Sequence, residues 1–349
     1  MKTTGLILAG DVGGTKTYLG LFEVNGHRPR AVRVGRFINA QFRGIGDVTA
    51  AFLSDARAAK GIRAGVFGVA CPVERNRGRL TNSSWNVDGR ALGKRFGIKK
   101  FELINDVKAL GYGALLLSKR DFFIIHKGRA KPVTGGATPA GGAASNAALI
   151  AAGTGLGEAI LFWNNGARVP SESEGGHADF APQSALEIEL FNFLRKKYGH
   201  VSCERIVSGQ GLHDLYRFFS ARQGGSEPER IRKRFIDEKD RAAVIFDEAV
   251  KHRDKNCVKA FRLFVSIYGA EAGNLALKAM AAGGVYLGGG IAPKVFARKE
   301  AAAVFMKSFS AKGRFKNLLE TFPVYVIRNE RTALCGAAFY AQSLLRGRP

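Results

Sequence analysis

Asp11-Val12-Gly13-Gly14-Thr15-Lys16-Thr17 sets a carboxylate at the end of an apolar run and follows it with paired glycines, a hydroxyl and an ammonium. Glycine lets backbone N–H groups come close to phosphate oxygens, and Thr15 or Lys16 adds side-chain donors. A hairpin turn that needs glycine for positive φ explains the segment equally well. The GxxxxGK[ST] spacing of a Walker A loop does not occur. Gly153-Thr154-Gly155-Leu156-Gly157 offers the same chemistry and the same alternative. Two such loops, each flanked by strands and far apart in the chain, point to a nucleotide held between facing phosphate loops. A third glycine cluster, Gly288-Gly289-Gly290, ends a short strand and leaves room for a flat group such as adenosine. Taken alone it reads more simply as a tight strand-to-helix turn.

The second kind of chemistry lies in scattered carboxylates. Asn105-Asp106 stands where a strand hands over to a helix. An Asp there is ordinarily a helix cap. Its other reading is a base that accepts the proton of an attacking hydroxyl, the modest help that phosphoryl transfer needs. Glu174-Gly175-Gly176-His177 and Cys203-Glu204-Arg205 add two carboxylates and an imidazole. With an Asn, such a set suits sugar hydroxyls, because carboxylates accept and a carboxamide both donates and accepts. Singly, each reads as a turn residue, a first-turn Glu or a structural histidine.

The elements that must position these groups follow from periodicity. Strands are expected over 5–11, 18–24, 31–38, 64–70 and 101–104, with Asn25-Gly26 marking a hairpin. Helices are expected over 47–59, from an Asp88 cap to Phe96, and over 107–117. The segment 127–146 is rich in Gly, Ala, Pro and Thr without apolar periodicity and reads as a flexible loop. Further strands are expected over 147–152, 158–163, 285–287 and 324–328. Ser184-Ala185-Leu186-Glu187 is a capping box that opens a helix with Leu186, Leu190, Phe193 and Leu194 on one face. More helices are expected over 211–222, 228–236, 240–252, 257–281 and 331–345. Both halves of the chain share a plan in which strands lead into glycine turns and then helices.

Composition removes several function classes. The 349 residues are 46% hydrophobic and 24% charged, as in a globular protein and unlike a disordered chain. No apolar run is long enough to cross a bilayer, and the N-terminal stretch lacks the apolar length of a secretory signal, so a cytoplasmic protein is expected. Cys71, Cys203, Cys257 and Cys335 form no CxxC pair, which disfavours a zinc or disulfide framework. The net charge of +25 predicts nonspecific attraction to polyanions that falls with salt. The basic residues are dispersed, so solvated surface charge from an Arg-rich host is the simpler reading.

Together DVGGTKT, ACPV with LTNSSW, LINDVKA, GTGLG, SEGGHADFAP, VSCERIVSGQGLHDLY, GGVYLGGGIAPK and GRFKNLLETFPVYVI resemble the bacterial glucokinases, members of the hexokinase–actin superfamily. The pieces stand in the family's order over nearly the whole chain. The resemblance implies an α/β, two-lobed ribonuclease-H-like fold with a cleft between a small domain (1–112 plus 329–349) and a large one (113–328). It implies phosphoryl transfer from ATP to the 6-hydroxyl of glucose, with Asp106 as the general base. Asn82, Asn105, Asp106, Glu174, His177 and Glu204 would bind the sugar. Asp11 would face Mg²⁺ through water. Gly13, Gly14, Thr15 and Lys16 would hold phosphates from one lobe and Gly153, Thr154 and Gly155 from the other, with Gly289 and Gly290 bordering the adenosine. A homodimer is a family expectation, whereas the dispersed charge and the lack of a long apolar run predict no specific nucleic-acid or membrane partner. Three positions depart from the family pattern: Lys16 for Asn, Ser173 for Gly and Gln210 for Pro.

Two rivals are weighed against this reading. One is a kinase for fructose, mannose or an amino sugar. Its zinc-bearing relatives have a cysteine cluster that is absent here. The other is a sugar-responsive nucleic-acid-binding regulator, prompted by the charge. It would need an N-terminal DNA-binding module, for which a phosphate loop beginning at Asp11 leaves no room.

Overall fold

The apolar run from Leu6 forms β1 (Leu6–Val12), which turns back antiparallel onto β2 (Lys16–Glu23), and β2 pairs antiparallel with β3 (Arg30–Ile38). The structure is a computed structural model that describes residues 5–24, 26, 28–54, 61–80, 85–128, 144–225 and 227–347. Asn25, Asn82, residues 55–60 and most of the 127–146 segment (129–143) therefore lie outside the described residues. After helix α1 (Ile45–Phe52), β4 (Ile62–Val69) joins β1 in parallel. A short hairpin, β5 (Arg77–Arg79) with β6 (Asn86–Asp88), and helix α2 (Gly89–Phe96) lead to β7 (Lys100–Asn105), parallel to β4. The sheet order is β3-β2-β1-β4-β7. One face is covered by Ile45, Val48 and Phe52 of α1 with Leu92 of α2.

Helix α3 (Asp106–Ala114) follows β7 directly, and β8 (Phe122–His126) comes after it. The second sheet repeats the plan of the first. β9 (Ala147–Ala152), β10 (Leu156–Asn164) and β11 (Ala167–Ser173) form an antiparallel meander. β12 (Val285–Gly288) and β13 (Val324–Ile327) then add in parallel, with β8 antiparallel at the far edge. Both sheets thus carry three antiparallel strands followed by two parallel ones.

A helical block lies between β11 and β12: α4 (Ala185–Tyr198), α5 (Gly209–Arg222), α6 (Glu229–Asp237), α7 (Arg241–Val250) and the long α8 (Lys255–Ala279). It builds the largest core around Phe264, Tyr268 and Tyr216. The Ser184 hydroxyl accepts from Glu187 N–H at 3.3 Å, while the Glu187 carboxylate reaches Gln183 N–H at 2.6 Å, so the capping box closes one residue further back than its simplest form. Helices α9 (Ala292–Phe296), α10 (Lys299–Ser310) and α11 (Lys316–Leu319) connect β12 to β13. The last helix, α12 (Thr332–Leu345), crosses back. Its Leu334, Ala337, Ala338 and Ala341 pack on Ile7, Ala9 and Val66 of the first sheet.

Helix α3 touches both sheets. Ala109 packs with the first, while Val107 and Ala114 pack with Ala147, Leu149, Ala159 and Leu161 of the second. Its N-terminus therefore opens where the two sheets meet.

Asp88 caps α2, accepting from Ala91 N–H at 3.0 Å, and Gly97 ends that helix at φ +68. Asp88→Ala should cost about 1 kcal/mol, read as a lower denaturant midpoint at unchanged slope.

Several expectations are corrected. Of the helix expected over 47–59, the described part starts two residues earlier and ends at Phe52, with Leu53 as its C-cap, while 55–59 lie outside the described residues. The helix expected over 107–117 starts one residue earlier and stops at Ala114. The edge strand β11 carries no strand signal in the sequence, because Pro170 and its polar neighbours break it. An edge tolerates a residue without an N–H.

Candidate functional site

Strands β1, β4 and β7 run in the same direction and end side by side. Asp11 lies opposite Gly68, and Val69 lies opposite Asn105. The carboxyl ends of adjacent parallel strands are where open α/β sheets bind ligands.

The handover from β7 to α3 separates two roles that the sequence left merged. Asn105 is the cap: its Oδ1 accepts from Val107 N–H at 2.8 Å and Lys108 N–H at 3.4 Å, and its amide donates to the Cys71 carbonyl at 3.3 Å. Asp106 is thereby relieved of the capping duty expected of an Asp there, and becomes the first residue of α3. Burial raises its carboxyl to about 7, the Asp11 carboxylate adds to the rise, the Val107 N–H opposes it, and Glu174 contributes more weakly. Burial likewise raises Asp11 to about 6, against the pull of the Lys16 ammonium. The Cys71 thiol is pushed up to about 11 by burial and by the charges of Asp106 and Glu174. Asp11, Asp106, Glu174 and Cys71 thus share one electrostatic neighbourhood.

The remaining polar groups connect to it in sequence. His177 Nε2 lies 3.9 Å from Glu174 Oε2 and 4.0 Å from Glu204 Oε2. Glu204 Oε2 accepts from Leu156 N–H at 2.9 Å. A Cβ at Gly155 would run into that same carboxylate, so a larger residue there would displace Glu204.

Both glycine loops are hairpin tips, so the two readings of their sequences are compatible. In the first, Gly13 N–H donates to the Lys16 carbonyl at 3.1 Å. Asn39, which sequence reading missed, braces the whole turn. Its amide donates to the Gly13 carbonyl at 2.8 Å, its N–H donates to the Thr15 carbonyl at 3.0 Å, and its Oδ1 accepts from the Thr17 hydroxyl at 2.9 Å. Nothing in FINAQF advertises this role, since Asn39 reaches its partners only after β3 folds back. Gly14 is half-buried at the tip, with Thr15 and Lys16 exposed beside it.

In the second loop, Gly153 N–H donates to the Gly155 carbonyl at 2.8 Å, and the Gly153 carbonyl accepts from Gly209 N–H at 2.9 Å, with Thr154 exposed between. The third cluster abuts it. Gly289, at φ +79, lies so close that a Cβ would strike the Ala152 carbonyl, and Gly290 faces open space. Among the described residues no hydrogen bond joins the loop at 13–15 to the loop at 153–155. They belong to the ends of separate sheets, with Asp106 between them in the chain and at the junction in space.

The chain matches the family model described as glucokinase over residues 8–344. It is 37% identical to the glucokinase of Nostoc sp. (strain PCC 7120) over 352 residues, covering 97% of this chain and 99% of that one. It is 33% identical to the glucokinase of Yersinia enterocolitica over 342 residues, with 98% of each covered. Among solved structures, a glucokinase from an Antarctic psychrotroph superposes with a TM-score of 0.78 at 28% identity, covering 97% of this chain and 99% of that chain. A ROK family glucokinase from Streptomyces griseus, solved with glucose and AMPPNP, shares the fold with a TM-score of 0.62 at 20% identity, covering 97% and 100%.

Proposed function

The chain belongs to the glucokinase family, and from that premise we propose that the junction of its two sheets is where ATP phosphorylates the 6-hydroxyl of glucose. The observation that carries this reading is the placement of Asp106. It is a carboxyl released from capping by Asn105, raised towards neutrality, and acted on by the charges of Asp11 and Glu174, the latter beside His177 and through it Glu204. Asp106 takes the proton of the attacking hydroxyl. Asn105, Glu174, His177 and Glu204 hold the other hydroxyls, together with Asn82. The complexes of related folds with glucose and with AMPPNP support both substrates.

Gly13, Gly14, Thr15 and Lys16 hold phosphates from the first sheet and Gly153, Thr154 and Gly155 from the second, with adenosine against Gly289 and Gly290. The Asp11 carboxylate raises Asp106, and Lys16 is the cation acting on Asp11, a local excess of negative charge that Mg²⁺ would offset. Among the described residues no cluster of three or more His, Cys, Asp or Glu is placed to bind a metal. As the family resemblance implies, Asp11 would hold the ion through water, and the ion would neutralise charge on the transferring group. The small unit is 1–112 with 329–349 and the large unit 113–328, closing over the substrates to keep water from competing with the sugar. A homodimer in the cytoplasm completes the reading. Among the described residues no helix is long and apolar enough to cross a membrane.

The test is ADP release from glucose, ATP and Mg²⁺, with kcat/KM compared across glucose, fructose, mannose and glucosamine. Glucose should lead, and a higher value for another hexose overturns the assignment. Asn39→Ala should raise KM for ATP about threefold to tenfold with little change in KM for glucose, because the turn loses its brace.

A further inference from the structure

Beneath the loops assigned above to the sugar lies a pair of acids that phosphoryl transfer does not use. Glu158, on β10, is 1% exposed, and Glu271, on α8, is 4% exposed. Each keeps one buried oxygen, Oε1, without a hydrogen-bond partner. The remaining oxygens contact the sugar loops or their support. Glu158 Oε2 lies so near Gly175 that a Cβ there would collide with it, and the Ser173 hydroxyl donates to the Glu158 carbonyl at 3.3 Å. Glu271 Oε2 accepts from the Cys203 thiol at 3.1 Å and from Asn274 at 2.9 Å. Glu158 therefore backs the segment carrying Glu174 and His177, and Glu271 backs the segment carrying Glu204. Two buried carboxylates whose charges act on each other repel strongly, and each orphan oxygen costs free energy unless a proton lies between them.

We propose that Glu158 carries a proton which it donates to Glu271, and that this bond positions the two glucose-binding segments against each other. The proposal rests on the assignment of Glu174, His177 and Glu204 to glucose. Burial and the charge of Glu271 raise the Glu158 carboxyl to about 8, against the opposing pull of Lys278. The other groups facing the pair are the Cys203 thiol, the Tyr268 phenol and Lys312. The thiol is raised by burial and by both glutamates, and the phenol by burial and Glu158. The Lys312 ammonium donates to Asn274 Oδ1 at 2.6 Å and to the Ala270 carbonyl at 2.9 Å. Because the folded-state value lies above the ordinary carboxyl value, the folded chain holds this proton more tightly than the unfolded one. The pair's support is complete at low pH and is lost as pH rises through about 8. Above that point the two carboxylates push their loops apart.

The experiment is KM for glucose as a function of pH in the wild type and in Glu158→Gln, whose amide keeps a donor towards Glu271 but cannot titrate. The wild type should show KM rising about tenfold between pH 7 and 9, as one linked proton requires. Glu158→Gln should match it at pH 7 and stay flat to pH 9. A rise retained in the variant, or no rise in the wild type, overturns the proposal. His177→Ala serves as the separate control. If it leaves KM unchanged at pH 7, the sugar assignment fails; if it raises KM while Glu158→Gln keeps the alkaline rise, the pair fails alone. Should Glu158→Gln not fold, infrared spectra of Asp106→Asn, which lacks the other carboxyl raised to about 7, decide. A protonated-carboxyl band that titrates near pH 8 supports the pair, and its absence overturns it.

Discussion

Asp106→Asn should lower kcat by about 10²–10⁴-fold while KM for glucose changes little, because the amide keeps the size and hydrogen-bonding reach of the side chain but cannot take the proton. Asn105, the actual cap of α3, is untouched, so the helix and the fold should persist. The substitution also removes a penalty. The Asp106 carboxyl, raised to about 7 by burial and by Asp11, weakens the folded state as pH climbs through that value. The variant should therefore be at least as stable as the wild type above pH 7, measured by thermal unfolding, while being nearly inactive. Loss of both stability and activity would mean that Asp106 is a structural residue.

With Asp106 as the proposed base, the same raised carboxyl should set the acid limb of the rate. A base must be unprotonated to work, so kcat/KM for glucose should fall as pH drops below about 7, and more steeply below about 6 as Asp11 also takes a proton. This limb and the alkaline limb ascribed to Glu158 lie on opposite sides of neutrality and respond to different substitutions.

Most of the elements were legible from period and punctuation. Glycine turns marked the tips of both hairpins, the Ser184 box marked α4, and the apolar runs of β1, β4 and β9 were long enough to declare buried strands. What stayed hidden depends on partners distant in the chain. Asn39 braces a turn about 25 residues upstream, as its bond to the Gly13 carbonyl shows, and no local pattern signals it. Glu158 and Glu271 act on each other only because β10 and α8 pack, and each alone looks like an ordinary acid on a strand or a helix. The motif around Asp106 was legible, yet the division of labour between Asn105 and Asp106 was not, since either type can cap a helix. The short strands β5, β6 and β8 sit at edges or in hairpins too brief for alternation to register.

Gly336→Ala should destabilise the protein by about 1–3 kcal/mol or more, through overpacking against a backbone that cannot yield. Helices α3 and α12 cross at two reciprocal glycines. A Cβ at Gly336 would run into the Ala109 carbonyl oxygen and lie 2.9 Å from its carbon. A Cβ at Gly113 would run into the Thr332 carbonyl oxygen and lie 2.7 Å from its carbon. Flexible side chains move aside cheaply, whereas these obstacles belong to a helix backbone and its flank, so the helices themselves must part. The separation between packed helices follows the size of the residues at their contact. Parting them lifts α12 off Ile7, Ala9 and Val66, and tilts α3, whose first residue is Asp106. Activity should therefore fall together with stability, as lower kcat at temperatures where the variant is still folded. Ala338→Gly, on the same helix but facing the sheet, should lose stability through helix propensity and packing without a comparable fall in kcat. Equal losses of kcat in the two variants would show that the α3–α12 crossing supports the fold but does not set the position of the base.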